Sequence, residues 1–405
     1  QGRSSGCAPC VESGLTPQSL RWIRVNTDME SSAETRPLET LRAFDLARQG
    51  WVVAFALLSV CARPLLAGGA SVDASTTDAP LLRFHAREAV EAVGWQKEAR
   101  ARLFALMMDR DRPDRVPLQP VVLRELKPAN SASRLQEIRL RTLDDRTVHA
   151  WIAVPRRPTA KVGGVLALHG HGGTGEKIVR GEGPYGYGRT LVEMGYAVVA
   201  PDIGQHDLQH TNWSLMGERV WDALCCVDYL VTRPEVDTNR LAVAGLSLGG
   251  ETTMYVAALD ERLRLACSSG WLTTVDNMKR GHCPCWNFPG LAQHFDFSDI
   301  FALVAPRLLV VELGEQERAP GGFPVEVGRR AFERIQGAYA VFDAKSAAVF
   351  TVHQGGHVFV GRDFWPLLRR ELGVPRTPRA DPGASPGQGG SPDSAKLRSL
   401  DPGHQ

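Results

Sequence analysis

The stretch from Arg240 to Ala258 reads RLAVAGLSLGGETTMYVAA, and its reading decides the fold. Leu241 to Leu246 is a short apolar, β-favouring run of the length of a buried strand. Gly245-Leu246-Ser247-Leu248-Gly249-Gly250 follows, and the chain then becomes Ala-rich and helical. A serine between two glycines at a sharp strand-to-helix turn has the pattern of the G-x-S-x-G nucleophile elbow. Small residues two positions either side let strand and helix approach while the serine takes a strained backbone conformation. Its hydroxyl then stands at the end of the sheet beside a helix start, where partial positive charge favours a developing oxyanion. A Gly-rich turn with an ordinary serine has the same local sequence. Partners elsewhere in the chain must decide between the two.

An acyl-transfer serine needs a base, an acid that orients it and donors for the oxyanion. Downstream, His357 lies in His353-Gln-Gly-Gly-His357-Val-Phe, just past an apolar run at Val349 to Val352. Two glycines let that loop bend back over a sheet end, so His357 is the expected base; His353, nearer the strand, reads as structural. The acid is expected after the preceding strand, Leu308 to Leu313, where the loop is Gly314-Glu315-Gln316-Glu317-Arg318 and holds no Asp. Glu317 and Glu315 are both candidates, with Asp343 the next to test. An isolated loop Glu is otherwise a solvated charge. Upstream, Leu168-His169-Gly-His171-Gly-Gly173 follows another apolar strand, and its glycines leave backbone N–H groups free to face a substrate oxygen. The N–H groups of His171 and Leu248 are the expected oxyanion donors. His169 and His171, two apart in a loop with no third ligand clustered in sequence, do not suggest a metal.

Outward from this core the pattern is regular. Leu81 to Met108 carries apolar residues at helical spacing and ends at Asp109-Arg-Asp-Arg-Pro113. Leu135 to Leu140 and Val148 to Val154 alternate around Asp144-Asp145, which predicts an antiparallel hairpin. Strands are then expected at Val162–Leu168, Tyr196–Ala200, Leu241–Leu246, Leu263–Cys267, Leu308–Leu313 and Val349–Val352. Helices are expected at Tyr187–Met194, Trp221–Val231 and Val325–Ile335. Alternating strands and helices predict an α/β fold, a mostly parallel doubly wound sheet with helices on both faces and an antiparallel front hairpin. The domain plan is a leader over 1–74, a helical segment over 75–130, a catalytic domain over 131–374 and a Pro/Gly/Ser-rich tail over 375–405. Residues 268–305 form an insertion between two strands, longer than an ordinary connection. Its aromatics, among them Trp271, Trp286 and Phe288, either shape a substrate pocket or pack the insertion onto the body.

The domain from about Arg134 to Leu372 resembles the α/β-hydrolases, and within them the dienelactone-hydrolase-like and acetylxylan-esterase-like branch. The resemblance rests on His169-Gly-His-Gly-Gly173, Gly245-Leu-Ser-Leu-Gly-Gly250, Asp296-Phe-Ser-Asp-Ile300, Ala305-Pro-Arg307 and Gly355-Gly-His357. Such proteins typically carry Gly-x-x-Asp after the Ala-Pro-Arg strand. Here the pattern is Gly314-Glu-Gln-Glu317, which implies Glu317 in the acid position with a side chain one methylene longer. The resemblance implies a serine carboxylic-ester hydrolase, needing no cofactor, acting on short-acyl, above all acetyl, esters of a bulky or carbohydrate alcohol. A serine peptidase or lactone hydrolase of the same fold, and a non-catalytic binding protein on it, are the rival readings.

Lys+Arg 47 against Asp+Glu 45 leaves a net charge of +2, and no basic block with interleaved aromatics is present. A nucleic-acid partner is therefore not expected. Arg42 and Arg48 precede an apolar segment over 51–62, and Ala67-Gly-Gly-Ala70 follows it, as in a secretory signal peptide. The segment is short for a membrane span, so export without stable membrane association is expected, with a retained N-terminal anchor as the alternative. Removal of that leader leaves Cys225, Cys226, Cys267, Cys283 and Cys285, an odd number that cannot all pair within one chain. Cys283-Pro-Cys285 has too few residues between its thiols for the usual zinc pair and is expected to be a packed or disulfide-linked loop.

Overall fold

The computed structural model describes residues 79–375, apart from 110–111, 129–132, 157, 211 and 318–320. The apolar segment over 51–62, the rest of the leader and the tail beyond residue 375 lie outside the described residues.

The described chain opens with helix α1 (Ala89–Met108), then strands β1 (Val121–Leu126), β2 (Ser133–Arg141), β3 (Thr147–Pro155) and β4 (Val162–Leu168). Short helices α2 (Gly175–Arg180) and α3 (Gly186–Glu193) lead to β5 (Ala197–Pro201), α4 (Leu215–Thr232) and β6 (Val236–Leu246). After α5 (Leu248–Leu259) and β7 (Leu263–Ser269), the insertion holds α6 (Val275–Met278), α7 (Leu291–His294) and α8 (Phe297–Ala302). The chain closes with β8 (Leu308–Gly314), α9 (Val325–Val341), β9 (Ala348–His353) and α10 (Phe364–Leu372).

The nine strands form one sheet in the order β1-β2-β3-β5-β4-β6-β7-β8-β9. Pairs among β1, β2, β3 and β5 are antiparallel, and every pair from β5–β4 to β8–β9 is parallel. The central strand β4 is buried along its whole length, as a strand covered on both faces must be, which is why it reads as an apolar run without alternation. One face is covered by α1, α4, α5 and α9 through residues such as Leu103, Trp221, Met254 and Ile335. The other is covered by α2, α3 and α10 through Ile178, Leu191, Phe364 and Leu368.

Two expectations for the front of the chain need correction. Helix α1 begins at Ala89 rather than Leu81, because the preceding segment, which opens in a turn, is bonded to the insertion. Leu81 and Leu82 donate backbone N–H bonds to the carbonyls of Gln293 and His294, and the Phe84 N–H donates to Asp299 Oδ1. The segment over 75–130 is also not purely helical, since it contributes β1 at the sheet edge. Val121, Val122 and Leu123 are all exposed there, so β1 lacks the in–out alternation that reveals a half-buried strand. Among the described residues no helix is long and apolar enough to cross a membrane.

The elbow is built by close backbone approach. A Cβ placed on Gly249 would lie 2.1 Å from the Leu168 carbonyl oxygen, a backbone atom that cannot swing aside. On the exposed side of α1 a Cβ at Gly94 meets nothing within 4 Å. Gly249→Ala is therefore expected to cost more than about 3 kcal/mol in urea unfolding. Gly94→Ala is expected to raise stability by about 1 kcal/mol through helix propensity. A small effect at Gly249 would mean that strand β4 and helix α5 are not packed this tightly.

Candidate active site

Strand β6 ends at Leu246 and helix α5 starts at Leu248, which leaves Ser247 alone in the turn with φ 62° and ψ −122°. A side-chain-bearing residue persists in that region only where its surroundings over-determine it. Here the Ser247 N–H donates to the Ser269 carbonyl at 2.9 Å, and the Ser247 carbonyl accepts from the Glu251 N–H at 2.9 Å. The serine is thus anchored to β7 on one side and to the first turn of α5 on the other.

The loop after β4 runs directly over this serine. A Cβ on Gly170 would stand 3.0 Å from Ser247 Cβ. His169 is fully buried and holds the loop in place: its Nε2 accepts from the Ile203 N–H at 3.0 Å, and its Nδ1 lies 2.8 Å from the Gly170 carbonyl. Because Nε2 accepts, Nδ1 carries the proton and donates to Gly170. Burial lowers the pKa of this imidazole and keeps it neutral. His171 follows on the exposed side of the same loop.

His357 arrives from the loop after β9, the edge strand, at the same end of the sheet. A Cβ on Gly270, which has φ +56°, would meet His357 Cε1 at 2.8 Å, so the imidazole lies against the residue next to Ser269. The imidazole of His357 is hydrogen bonded through Nδ1 to Glu317 Oε2 at 3.0 Å. The Glu317 side chain is 2% exposed against 39% for His357, so the carboxylate is the sheltered member of the pair. Glu317 Oε2 also accepts the Phe323 N–H at 3.2 Å, and the Phe323 ring stacks on His357 with centroids 5.9 Å apart. Glu315 is exposed. Asp343 sits just before β9 begins, at the opposite end of the strand from His357.

Two residues that the sequence did not single out hold this arrangement. Glu312 on β8 is fully buried and accepts the Val360 and Gly361 N–H groups at 2.9 and 2.7 Å. That clamp fixes the chain just after His357. His353, read as structural, accepts the Gly355 N–H on Nδ1 at 3.2 Å and shapes the turn before it. A Glu inside an apolar strand was the available signal for the first, since such a residue is seldom buried without partners.

The insertion aromatics are placed differently from the pocket expectation. Trp271, Trp286 and Phe288 are 2%, 5% and 3% exposed. Trp271 packs on Phe297 and Phe323, Trp286 on Phe297 and Phe288 on Tyr255. Their area is spent on fastening the insertion to the body, which leaves no ring face for a sugar to stack on. That corrects the substrate-binding expectation for all three.

The cysteine expectation also changes. Cys283 and Cys285 are free thiols rather than a disulfide, and Cys225, Cys226 and Cys267 are free and buried. His171 Nε2 lies 3.1 Å from Cys285 Sγ, and His206 Nε2 lies 3.5 Å from Cys283 Sγ. His171 therefore does have clustered donor neighbours, contributed by distant loops that sequence spacing does not register.

Comparison with known proteins agrees with this architecture. Residues 188–279 match the model of the prolyl oligopeptidase family. A Bacillus subtilis (strain 168) protein assigned as a hydrolase, YtaP, is 27% identical over 248 residues, 55% of this chain and 81% of that protein. A glucuronoyl esterase from Solibacter usitatus superposes with a TM-score of 0.57 at 16% identity, covering 74% of this chain and 98% of that one. A Bacteroides fragilis NCTC 9343 protein assigned as an acetyl xylan esterase superposes with a TM-score of 0.55 at 17% identity, covering 73% and 86%. The sheet order, the strained serine at the β6–α5 turn and these likenesses together give this chain the α/β-hydrolase fold.

Proposed function

We propose that this chain is a serine carboxylic-ester hydrolase with Ser247, His357 and Glu317 as its triad. The observation that carries the reading is the sheltered Glu317–His357 hydrogen bond, at 3.0 Å, facing the strained elbow of Ser247. In this scheme Ser247 Oγ attacks the ester carbonyl and His357 Nε2 takes its proton, then returns it to the departing alcohol. Glu317 holds the Nδ1–H tautomer and stabilises the imidazolium that forms. The N–H groups of His171 and Leu248 are the oxyanion donors, and water releases the acid by the same steps in reverse roles. Catalytic hydrogen bonds to the nucleophile commonly tighten only with substrate bound, so Ser247 and His357 need not be bonded at rest.

The substrate class is a short-acyl ester, acetyl above all, of a carbohydrate or other bulky alcohol. Support comes from the carbohydrate-esterase names among the structural neighbours and from the close packing of the insertion, whose large rings are consumed by the core. A second reading, peptide-bond hydrolysis, is favoured by the match to the prolyl oligopeptidase family over 188–279. One panel separates them: kcat/KM on acetyl, butyryl and octanoyl esters of one alcohol, acetate release from acetylated xylan, and cleavage of a prolyl amide. An extra methylene gains only about 0.8 kcal/mol where a pocket exists for it, so rates are expected to fall by roughly tenfold or more from acetyl to octanoyl. Fastest turnover of the octanoyl ester would overturn the short-acyl assignment, and faster cleavage of the amide would favour the peptidase.

A further inference from the structure

We propose that His171, His206, Cys283 and Cys285 form a tetrahedral zinc site that pins the oxyanion loop to the insertion. The donor atoms of these four side chains all lie within 4.8 Å of one another. Two of the contacts are already short, 3.1 Å from His171 Nε2 to Cys285 Sγ and 3.5 Å from His206 Nε2 to Cys283 Sγ. Zinc–sulfur and zinc–nitrogen bonds of ordinary length set the edges of a Cys2His2 tetrahedron at about 3.3–3.8 Å. The longest separation therefore needs to close by about 1 Å, within the reach of side-chain rotation. Two thiolates and two neutral imidazoles are the donor set of structural zinc, and the four leave no position open for water.

The site is assembled from three separate loops at one end of the sheet. His171 comes from the loop after β4, His206 from the loop after β5, and the two cysteines flank Pro284 in the insertion. The loop carrying His206 is held from below by α4. Glu218 Oε1 accepts the Gln209 and His210 N–H groups at 2.7 and 2.6 Å, and Arg219 Nη2 donates to the Gln205 carbonyl. Arg146 closes the arrangement by pairing with Glu218 and Asp222 at 3.1 and 2.6 Å. Four buried charges are thus committed to the geometry of one short loop.

Arg219 supplies an independent sign that a charged group belongs here. It is fully buried, among the described residues its Nε and Nη1 have no nitrogen or oxygen partner, and its guanidinium lies beside the Cys285 thiol. A buried cation with unspent donors is costly unless an anion completes it. A zinc-bound Cys285 thiolate is that anion, accepting from Arg219 while the metal holds the sulfur. Zinc with two thiolates and two imidazoles is neutral overall, so the guanidinium meets sulfur lone pairs rather than a net positive centre.

Its consequence for turnover rests on the proposed oxyanion role of the His171 N–H. When the imidazole is fixed to metal, the backbone at His171 is fixed as well. Zinc therefore acts as a positioning element for the oxyanion loop, about one strand end away from the serine chemistry, and takes no part in bond making.

Metal analysis tests the site without any substrate. The purified full chain is expected to hold one equivalent of zinc, and the chelated protein to take up one equivalent of Co2+ with thiolate charge-transfer and tetrahedral d–d bands. Ser247→Ala is expected to bind metal as the wild type does, which separates this inference from the hydrolase assignment. The Cys283→Ser/Cys285→Ser double variant and His206→Ala, each confirmed folded by circular dichroism, are expected to bind at least 100-fold more weakly. Absence of stoichiometric metal in the folded wild type, or undiminished binding in the double variant, overturns the site. Chelation is further expected to lower kcat at least tenfold with little change in KM, restored by zinc. Equal kcat with and without metal would overturn the positioning role.

Discussion

Ser247→Ala is expected to remove turnover by roughly 10³-fold or more while the protein melts within a few degrees of the wild type. Alanine must adopt the same positive φ that serine holds, 62°, and the strain is therefore common to both and cancels from the comparison. The backbone bonds that anchor the turn, to Ser269 and from Glu251, involve only main-chain atoms of residue 247 and survive the change. What disappears is the one oxygen that attacks. A fluorophosphonate probe is expected to add a single mass increment to the wild type, on the peptide containing Ser247, and none to the variant. Turnover within tenfold of the wild type would end the triad assignment. Wild-type protein that fails to react with the probe would favour a binding function for the fold.

Glu317→Gln is expected to cost at least about 10²-fold in kcat, whereas Glu315→Gln changes kcat by less than about 3-fold. The asymmetry follows from placement. Glu317 Oε2 accepts from both His357 Nδ1 and the Phe323 N–H, so an amide there keeps those bonds only with its oxygen in that place, and in either orientation it lacks the negative charge that stabilises an imidazolium. If that NH2 faces His357, Nδ1 must become the acceptor and Nε2 the donor, and the ring can no longer take the serine proton. Glu315 is exposed and its loss leaves the ring untouched. Equal and small losses at both positions would move the orienting acid elsewhere.

The sequence announced the parallel strands, the elbow and the histidine loop because each is a local pattern. An apolar run of six or seven residues flanked by glycine, and a serine two residues from glycine on both sides, need no distant information to be read. It narrowed the candidate acid to a three-residue window but left Glu315 beside Glu317, since only the folded loop says which of the two faces the ring. It missed β1, whose exposed valines lack periodicity, and it began α1 too early, because backbone bonds to Gln293 and His294 override the helical pattern of 81–88.

The larger differences lie where partners are far apart along the chain. Exposure of Trp271, Trp286 and Phe288 could not be judged from an aromatic-rich insertion, because burial depends on what the insertion lands on. Cys283 and Cys285, too closely spaced for a zinc pair of their own, gain His171 and His206 only when three loops meet at the same end of the sheet. Glu312, Glu218 and Arg219 are ordinary charges in the sequence, and their clamping roles exist only because the core removes water from around them. Local pattern determined the fold and the place of Ser247 at its strand-to-helix elbow. Convergence of distant residues in a low-dielectric interior decided which histidine meets which carboxylate, which rings are hidden and where four soft donors come together.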